Sequence, residues 1–116
     1  MTEISRYHPA ARYSEAVRVN GLVYLSGQVP DRAEADATAQ TANVLAQIDA
    51  VLAANGTDKT RLIDAVIFLA DMADYDAMNR AWDAWVAPGA APARATVEAR
   101  LAKPEWKVEI KVVAAL

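Results

Sequence analysis

The chemistry open to this sequence is narrow, because it contains no cysteine and a single histidine, His8. Without cysteine there is no thiolate nucleophile, thiolate metal site or disulfide. One histidine cannot build a multi-histidine metal site, and a Ser/His/Asp arrangement would depend on His8 alone. Acid–base chemistry therefore falls to carboxylates, tyrosine hydroxyls or backbone groups, and arginine is the side chain suited to bind a negatively charged substrate.

Arg94 is the first candidate, at the point where a loop of small residues (86–93) becomes a strand with alternating apolar and polar residues. Pro92 keeps the chain extended just before it. A guanidinium at the start of a strand carries a fork of donors that matches a carboxylate bidentately. The pattern alone favours a surface arginine paired with an acidic neighbour over one that binds a ligand.

Glu109, in the last predicted strand, is the second candidate. We expect it within a step or two of Arg94 or Thr96, where it would orient a water or relay a proton. The alternative is a surface ion pair that contributes little to stability. Ser26 and Gly27 end another predicted strand, where a hydroxyl and a free backbone N–H cluster, although turn chemistry also explains the glycine.

Two further residues have a functional and an ordinary interpretation. Asn79 lies in a predicted helix beside an aromatic stripe, so it either contacts a ligand or is simply exposed. Tyr13 is most simply a packing residue, and a functional use is the less common case.

The elements that position these residues form one predicted domain, residues 1–116, of the α+β class with the order ββαβαββ. Asn20-Gly21 is a strong hairpin signal because both residues tolerate positive φ. Asp36 and Asp74 are expected to cap the two helices, and Asn55-Gly56 to end the first. The predicted elements are strands 16–19 and 22–26, helix 36–56, strand 61–71, helix 74–86, and a final hairpin pairing 94–101 with 105–114 around Lys103-Pro104.

Both helices are expected on one face of the mixed sheet, which leaves the other face bare. The nearly continuous apolar run from Ala65 to Ala70 suits a strand covered on both faces. The bare face would therefore combine apolar residues with the polar residues of the final hairpin. This mixture favours burial against another copy of the chain, and a monomer with a polar outer sheet is the alternative.

Composition excludes several classes of function. The net charge is −3 and the 12 lysines and arginines are scattered, so nucleic-acid binding is disfavoured. No apolar run approaches the roughly 20 residues that span a bilayer, so no membrane partner is expected. The N-terminus lacks a basic start followed by an apolar core, which favours a cytoplasmic protein.

Taken together, these segments resemble the RidA (YjgF-like) family over nearly the whole chain. The blocks that carry the resemblance are "RYSEAVRVNGLVYLSGQVP", "QTANVLAQIDAVLAANG", "IDAVIFLADMADYDAMNRAWDAWV" and "PARATVEARL" followed by "KVEIKVVA". Their order and spacing are specific, and the chain is most similar to the short bacterial paralogues of the YoaB type. The resemblance implies a trimeric, chorismate-mutase-like α+β barrel with clefts between subunits.

The resemblance also implies an activity, the hydrolysis of reactive enamines and imines such as 2-aminoacrylate and 2-iminopropanoate to 2-keto acids and ammonia, without metal or cofactor. Arg94 matches the family arginine that binds the substrate carboxylate, and Glu109 the glutamate associated with the attacking water. The positions that line the family pocket are Tyr13, Ser26, Gly27, Asn79 and Thr96. The site would be chemically coherent, because an imine carbon is already electrophilic.

The chain departs from the family pattern near this pocket. The common Gly-Pro before the tyrosine is Ala11-Arg12, and Glu15 replaces the following glutamine. Thr96 stands where many members carry cysteine, Lys111 where a second glutamate is frequent, and segment 31–40 is short and lacks the glycines of longer members. The retained arginine still favours a carboxylate-bearing ligand. The alternatives are a non-catalytic, regulatory module that binds small carboxylates and, less favoured by the charge, RNA cleavage or translation inhibition.

Overall fold

The structure, a computed structural model, describes residues 2–32 and 36–116. In these ranges one six-stranded sheet and two α-helices follow each other in the order βββαβαββ, which confirms the predicted α+β class. Short 3₁₀ turns at Lys59–Arg61 and Met72–Asp74 precede β4 and α2. The elements are β1 Ile4–Pro9, β2 Ser14–Val19, β3 Leu22–Leu25, α1 Ala37–Ala54, β4 Leu62–Leu69, α2 Tyr75–Trp85, β5 Ala93–Glu98 and β6 Val108–Ala115.

The sheet order is β1-β2-β3-β6-β4-β5, so the predicted final hairpin is wrong. β5 pairs in parallel with β4 at the edge of the sheet, while β6 lies between β3 and β4 and is antiparallel to both. Burial explains why these strands have the observed neighbours. Every second residue of β6 is buried, whereas no residue of β5 is fully buried. A strand with an apolar row belongs at the centre of a sheet and a polar one at its edge.

Strand β1 is missing from the predicted order ββαβαββ. In its sequence, Ile-Ser-Arg-Tyr-His-Pro, the apolar Ile4 and Tyr7 are three residues apart and would point to opposite faces of a strand. No period-of-two pattern therefore marks it as a strand. It forms an edge strand through antiparallel pairing with β2, in a register that matches Ile4 with Val19 and Tyr7 with Ala16.

The local signals at chain turns are mostly confirmed. Asn20 and Gly21 adopt φ of 52° and 75° in the hairpin that joins β2 to β3, and Gly56 ends α1 with φ of 81°. Asp36 caps α1 by accepting a hydrogen bond from Ala39 N at 2.7 Å. Asp74 occupies the predicted N-cap position of α2, but its side chain makes no capping hydrogen bond.

The core lies between the helices and one face of the sheet. Buried residues of β4 and β6 pack there against both helices, and the largest of them are Leu45, Ile48, Leu52, Ile67, Leu69, Met78 and Ile110. On the opposite face Val66 and Phe68 are only half-buried, so a single copy of the chain does not cover β4 on both sides as its apolar run predicts. Of segment 31–40, residues 33–35 lie outside the described part of the chain.

No helix in residues 2–32 and 36–116 is long and apolar enough to cross a membrane.

Candidate functional site

Arg94 projects from the helix-covered face of the sheet. It pairs in register with Ala65, which is fully buried in the core, and parallel partners point to the same face. Its Nη1 donates a hydrogen bond to Asn79 Oδ1 at 2.8 Å, and its Nη2 donates to the Tyr75 hydroxyl at 3.3 Å. Helix α2 thus fixes the guanidinium through two neutral groups.

Two aromatic rings complete the support of Arg94. The guanidinium carbon lies 5.2 Å from the ring centre of Trp82 and 6.0 Å from that of Tyr75. Such contacts stabilise a cation without neutralising it. No aspartate or glutamate of the described residues forms an ion pair with Arg94. The surface ion pair considered from the sequence is therefore absent among them, and the guanidinium retains donors for an anion.

We call the depression beside this residue the Arg94 cleft. It has a volume of 600 Å³ and is lined by Asp76, Asn79, Arg80, Trp82, Asp83 and Arg94. Thr96, two residues along β5, lies on the same face as Arg94. Within the described residues its buried Oγ1 has no hydrogen-bond partner. A buried hydroxyl without a partner costs free energy, about 1–3 kcal/mol, so it is a notable feature next to a candidate site.

Glu109 projects from the other face of the sheet, because it lies between the fully buried Val108 and Ile110. It is held close to the backbone of Gly27, where an added Cβ would overlap Glu109 Oε2. The absence of a side chain at Gly27 thus lets Glu109 take this position, beyond what turn chemistry explains. Beside it, Ser26 Oγ donates to Ser14 O at 2.5 Å.

The cavity around this carboxylate is called here the Glu109 cleft. It has a volume of 440 Å³, and its lining residues are Tyr13, Ser26, Gly27, Val29, Ala102, Trp106, Glu109 and Lys111. Tyr13 is 68% exposed and is not a core packing residue. Lys111 Nζ donates to Leu25 O at 2.7 Å, which places a positive charge two residues along β6 from Glu109.

Helix α1 fixes the start of β6, and so the position of Glu109, through one buried amide. Gln40 Nε2 donates to Glu105 O at 3.0 Å, and Gln40 Oε1 accepts from Lys107 N at 2.8 Å. Buried polar groups that are fully hydrogen-bonded specify one arrangement of the backbone. The segment before β6 is thus tied to the helix layer although it belongs to no strand.

The structure gathers the predicted site residues into two sets. Tyr13, Ser26, Gly27 and Glu109 line one cleft, while Arg94 and Asn79 line another, with Thr96 beside them. The expectation that Glu109 lies near Arg94 or Thr96 is wrong within one chain. Glu109 pairs with Phe68 on one side of β4, whereas Arg94 pairs with Ala65 on the other side, and the two side chains point to opposite faces.

Three residues in or beside these clefts were not among the predicted site residues. Tyr75 and Trp82 form the aromatic stripe beside Asn79, and both support Arg94; Tyr75 is 40% exposed. Tyr75 lies four residues before Asn79 and Trp82 three residues after it, so the three side chains share one face of the helix. This spacing is a signal that sequence analysis could have used. Lys111 was noted only as a departure from the family pattern. It lies two residues from Glu109 in the same strand, so both side chains point to the same face of the sheet.

Neither cleft resembles a metal site: within the described residues no three histidine, aspartate or glutamate side chains converge to hold an ion. A displaced pKa occurs elsewhere, at Asp58. Hydrogen bonds from the Thr60 side chain and then its backbone N–H hold the pKa of this exposed carboxyl below its ordinary value of 3.8.

The fold and the two clefts define a small α+β protein with an open sheet face and a guanidinium held by hydrogen bonds and aromatic rings. The chain belongs to the family described as endoribonuclease L-PSP, whose profile matches residues 3–116. Membership confirms the resemblance to YjgF-like proteins.

Individual relatives agree with this assignment. The RutC family protein YoaB of Escherichia coli is 55% identical over 113 residues, which cover 97% of this chain and 98% of the relative. A YjgF family member from Neisseria meningitidis, known from a crystal structure, is 58% identical with a TM-score of 0.95, covering 97% of this chain and 94% of that one. A Rid family protein, YyfA of Yersinia pestis, is 32% identical with a TM-score of 0.87 over the full length of both chains.

Proposed function

We propose that this protein is an enamine and imine deaminase, which hydrolyses intermediates such as 2-aminoacrylate and 2-iminopropanoate to 2-keto acids and ammonia. The observation that carries the proposal is the state of Arg94. Asn79, Tyr75 and Trp82 hold its guanidinium. No carboxylate of the described residues forms an ion pair with it, although Asp76 and Asp83 line the same cleft. A positioned guanidinium without an ion-pair partner among these residues suits the carboxylate of a 2-imino acid.

The reaction needs little beyond positioning. The oxygen of a water adds to the imine carbon, and its proton goes to the nitrogen. The resulting carbinolamine then loses ammonia and leaves the keto acid. Glu109 orients the water, accepts its proton as the oxygen adds to the carbon, and passes that proton on to the nitrogen, while Tyr13, Ser26 and Gly27 form the surrounding wall. Bringing water and substrate together converts a bimolecular step into an intramolecular one.

Each active site is proposed to combine two copies of the chain in a homotrimer. Arg94 and Glu109 project from opposite faces of one sheet, so one chain cannot offer both to a small substrate. The half-buried Val66 and Phe68 on the open face supply apolar surface for contact between copies. In this arrangement the Arg94 cleft of one copy adjoins the Glu109 cleft of the next.

A second candidate function uses the same arginine without turnover. A regulatory module would bind 2-keto acids through Arg94 and leave imines untouched. RNA cleavage, which the family description names, is disfavoured here by the net charge of −3 and the scattered basic residues.

The test is hydrolysis of imines that an amino-acid oxidase generates in the assay, with wild type and Arg94→Ala compared. We expect faster formation of keto acid and ammonia with wild type. Arg94→Ala should lower kcat/KM about tenfold to a hundredfold, because a charge-assisted pair is lost. Arg100→Ala, which removes an exposed arginine near the end of β5, is the matched control and should match wild type. Saturable keto-acid binding without any acceleration would instead support the regulatory module.

A further inference from the structure

We propose that Arg12 is a specificity-determining residue, which selects imines whose side chain ends in a second carboxylate. The proposal rests on the deaminase function proposed above and concerns the substrate class of that same site. The reaction remains a hydrolysis, in which a 2-imino dicarboxylate and water give a 2-keto dicarboxylate and ammonia. It requires no oxidant, reductant or cofactor.

A second cavity of 560 Å³, called here the Arg12 cavity, lies beside the Glu109 cleft and shares four wall residues with it. Glu109 lines only the first of these spaces and Arg12 only the second. A substrate whose reacting carbon lies at Glu109 therefore has room to extend its side chain toward Arg12. The walls that the two spaces share are Tyr13, Ser26, Gly27 and Val29.

The size of the Arg12 cavity argues against a methyl group as the preferred side chain. Binding sites commonly cover most of a ligand's surface, and a substrate with three carbons would leave this cavity empty. The cavity therefore accommodates substrates larger than 2-iminopropanoate.

The charges around the cavity indicate what that side chain carries. Arg12 lies in the connection between β1 and β2, which Ala10 N closes by donating to Tyr13 O at 3.0 Å. No aspartate or glutamate of the described residues forms an ion pair with Arg12. Glu15, the carboxylate of this cavity, is instead engaged by His8, whose Nδ1 lies 3.2 Å from Glu15 Oε2.

The two glutamines of the cavity already use their side-chain N–H groups within the protein. Gln47 Nε2 donates to Val29 O at 2.8 Å and to Asn43 Oδ1 at 3.0 Å. Gln28 Nε2 donates to Ser26 O at 3.1 Å. Arg12 is thus the permanently charged cation of this cavity. A carboxylate at the far end of the substrate would match its guanidinium bidentately.

The experiment compares two imines of equal length that differ in this end group. Amino-acid oxidases generate them in the assay from glutamate and from norvaline, whose side chains end in a carboxylate and a methyl group. Wild type, Arg12→Ala and Arg12→Lys are measured, with Arg6→Ala as the matched control. Arg6 carries the same charge on the exposed edge strand β1 and lines neither cavity.

We expect kcat/KM of wild type to favour the glutamate-derived imine about tenfold. Arg12→Ala should lower kcat/KM for that imine about tenfold and leave the norvaline-derived imine within about twofold. Arg12→Lys should keep part of the preference, and Arg6→Ala all of it. Equal rates on both imines, or a preference that survives Arg12→Ala, would overturn the proposal and leave the deaminase function standing. Absence of turnover on both imines would overturn the deaminase function, and this proposal with it.

Discussion

Arg94 and Glu109 project from opposite faces of the same six-stranded sheet, on either side of strand β4. Arg94 faces helix α2 and Glu109 faces the backbone of Gly27 on the open side. If both act on one small substrate, they must come from different copies of the chain. One experiment can therefore test both the assembly of the chains and the proposed hydrolysis.

Mixed assemblies of Arg94→Ala and Glu109→Ala chains should recover more activity than either variant has alone. Sites that take Arg94 from one chain and Glu109 from the other variant are complete. With random mixing of equal amounts in a closed ring, about a quarter of the sites are complete, so about a quarter of wild-type activity is expected. Co-expression with two affinity tags, followed by the imine assay, measures it.

The control for this experiment is a mixture of the two variants assembled separately and combined without exchange, which should show only the residual activity of the separate variants. Sedimentation should show a trimer for wild type and for each variant. A stable monomer at micromolar concentration, or mixed assemblies without activity, would exclude a site shared between copies.

Replacement of Asn79 should change ligand binding through Arg94. Asn79→Ala removes the hydrogen bond at 2.8 Å to Nη1 and should weaken 2-keto-acid binding about fivefold. Asn79→Asp should weaken it more, because a carboxylate there would pair with the guanidinium and compete with the ligand. Calorimetric titration with 2-oxobutanoate measures both. If Asn79→Asp binds the keto acid as tightly as wild type, Arg94 is not the anion-binding group.

Gly27→Ala should separate activity from stability. The added methyl group would overlap Glu109 Oε2, the mobile end of a side chain, so the carboxylate moves and the fold adapts. We expect the free energy of unfolding to change by about 1 kcal/mol or less, and kcat/KM to fall about tenfold. Denaturant unfolding and the imine assay measure the two quantities.

The double variant Gly27→Ala/Glu109→Gln distinguishes this mechanism from general damage to the cleft. Once the carboxylate is gone, the added methyl group should cost little more activity, so the two effects should not add. Fully additive effects on kcat/KM would mean that Gly27 acts independently of Glu109.

The stability contributed by Asp58 should depend on pH. Hydrogen bonds from Thr60 lower its pKa in the folded state below 3.8, so the carboxylate stabilises the folded protein above the unfolded-state pKa. That contribution is lost as the pH falls through the lower, folded-state pKa. Asp58→Ala should therefore lower Tm relative to wild type at pH 7, and the difference should shrink in strong acid.

Glu3→Ala is the control for the Asp58 experiment, because it removes an exposed carboxylate at the other end of the chain. Its Tm difference from wild type should not follow this pH dependence. A difference for Asp58→Ala that stays constant between neutral pH and strong acid would show that the carboxylate charge is not responsible.

The sequence by itself determined the elements whose signals are local. The β2–β3 hairpin follows from Asn20 and Gly21, which both adopt positive φ, and the ends of α1 follow from Asp36 and Gly56. Short-range sterics and single hydrogen bonds decide such features, so neighbouring residues are enough to predict them. The family resemblance, carried by several ordered segments, was likewise readable and is confirmed over residues 3–116.

Only the tertiary structure decided which strands are neighbours. Val108, Ile110 and Val112 take β6 to the centre of the sheet, and Arg94 stays with β5 at the edge. Strand pairing depends on competition among all strands for burial, a long-range quantity that no short segment contains. The same competition placed Arg94 and Glu109 on opposite faces of the sheet. Residue types thus indicated the chemistry, while the packing of the whole sheet decided that these two residues lie apart within one chain.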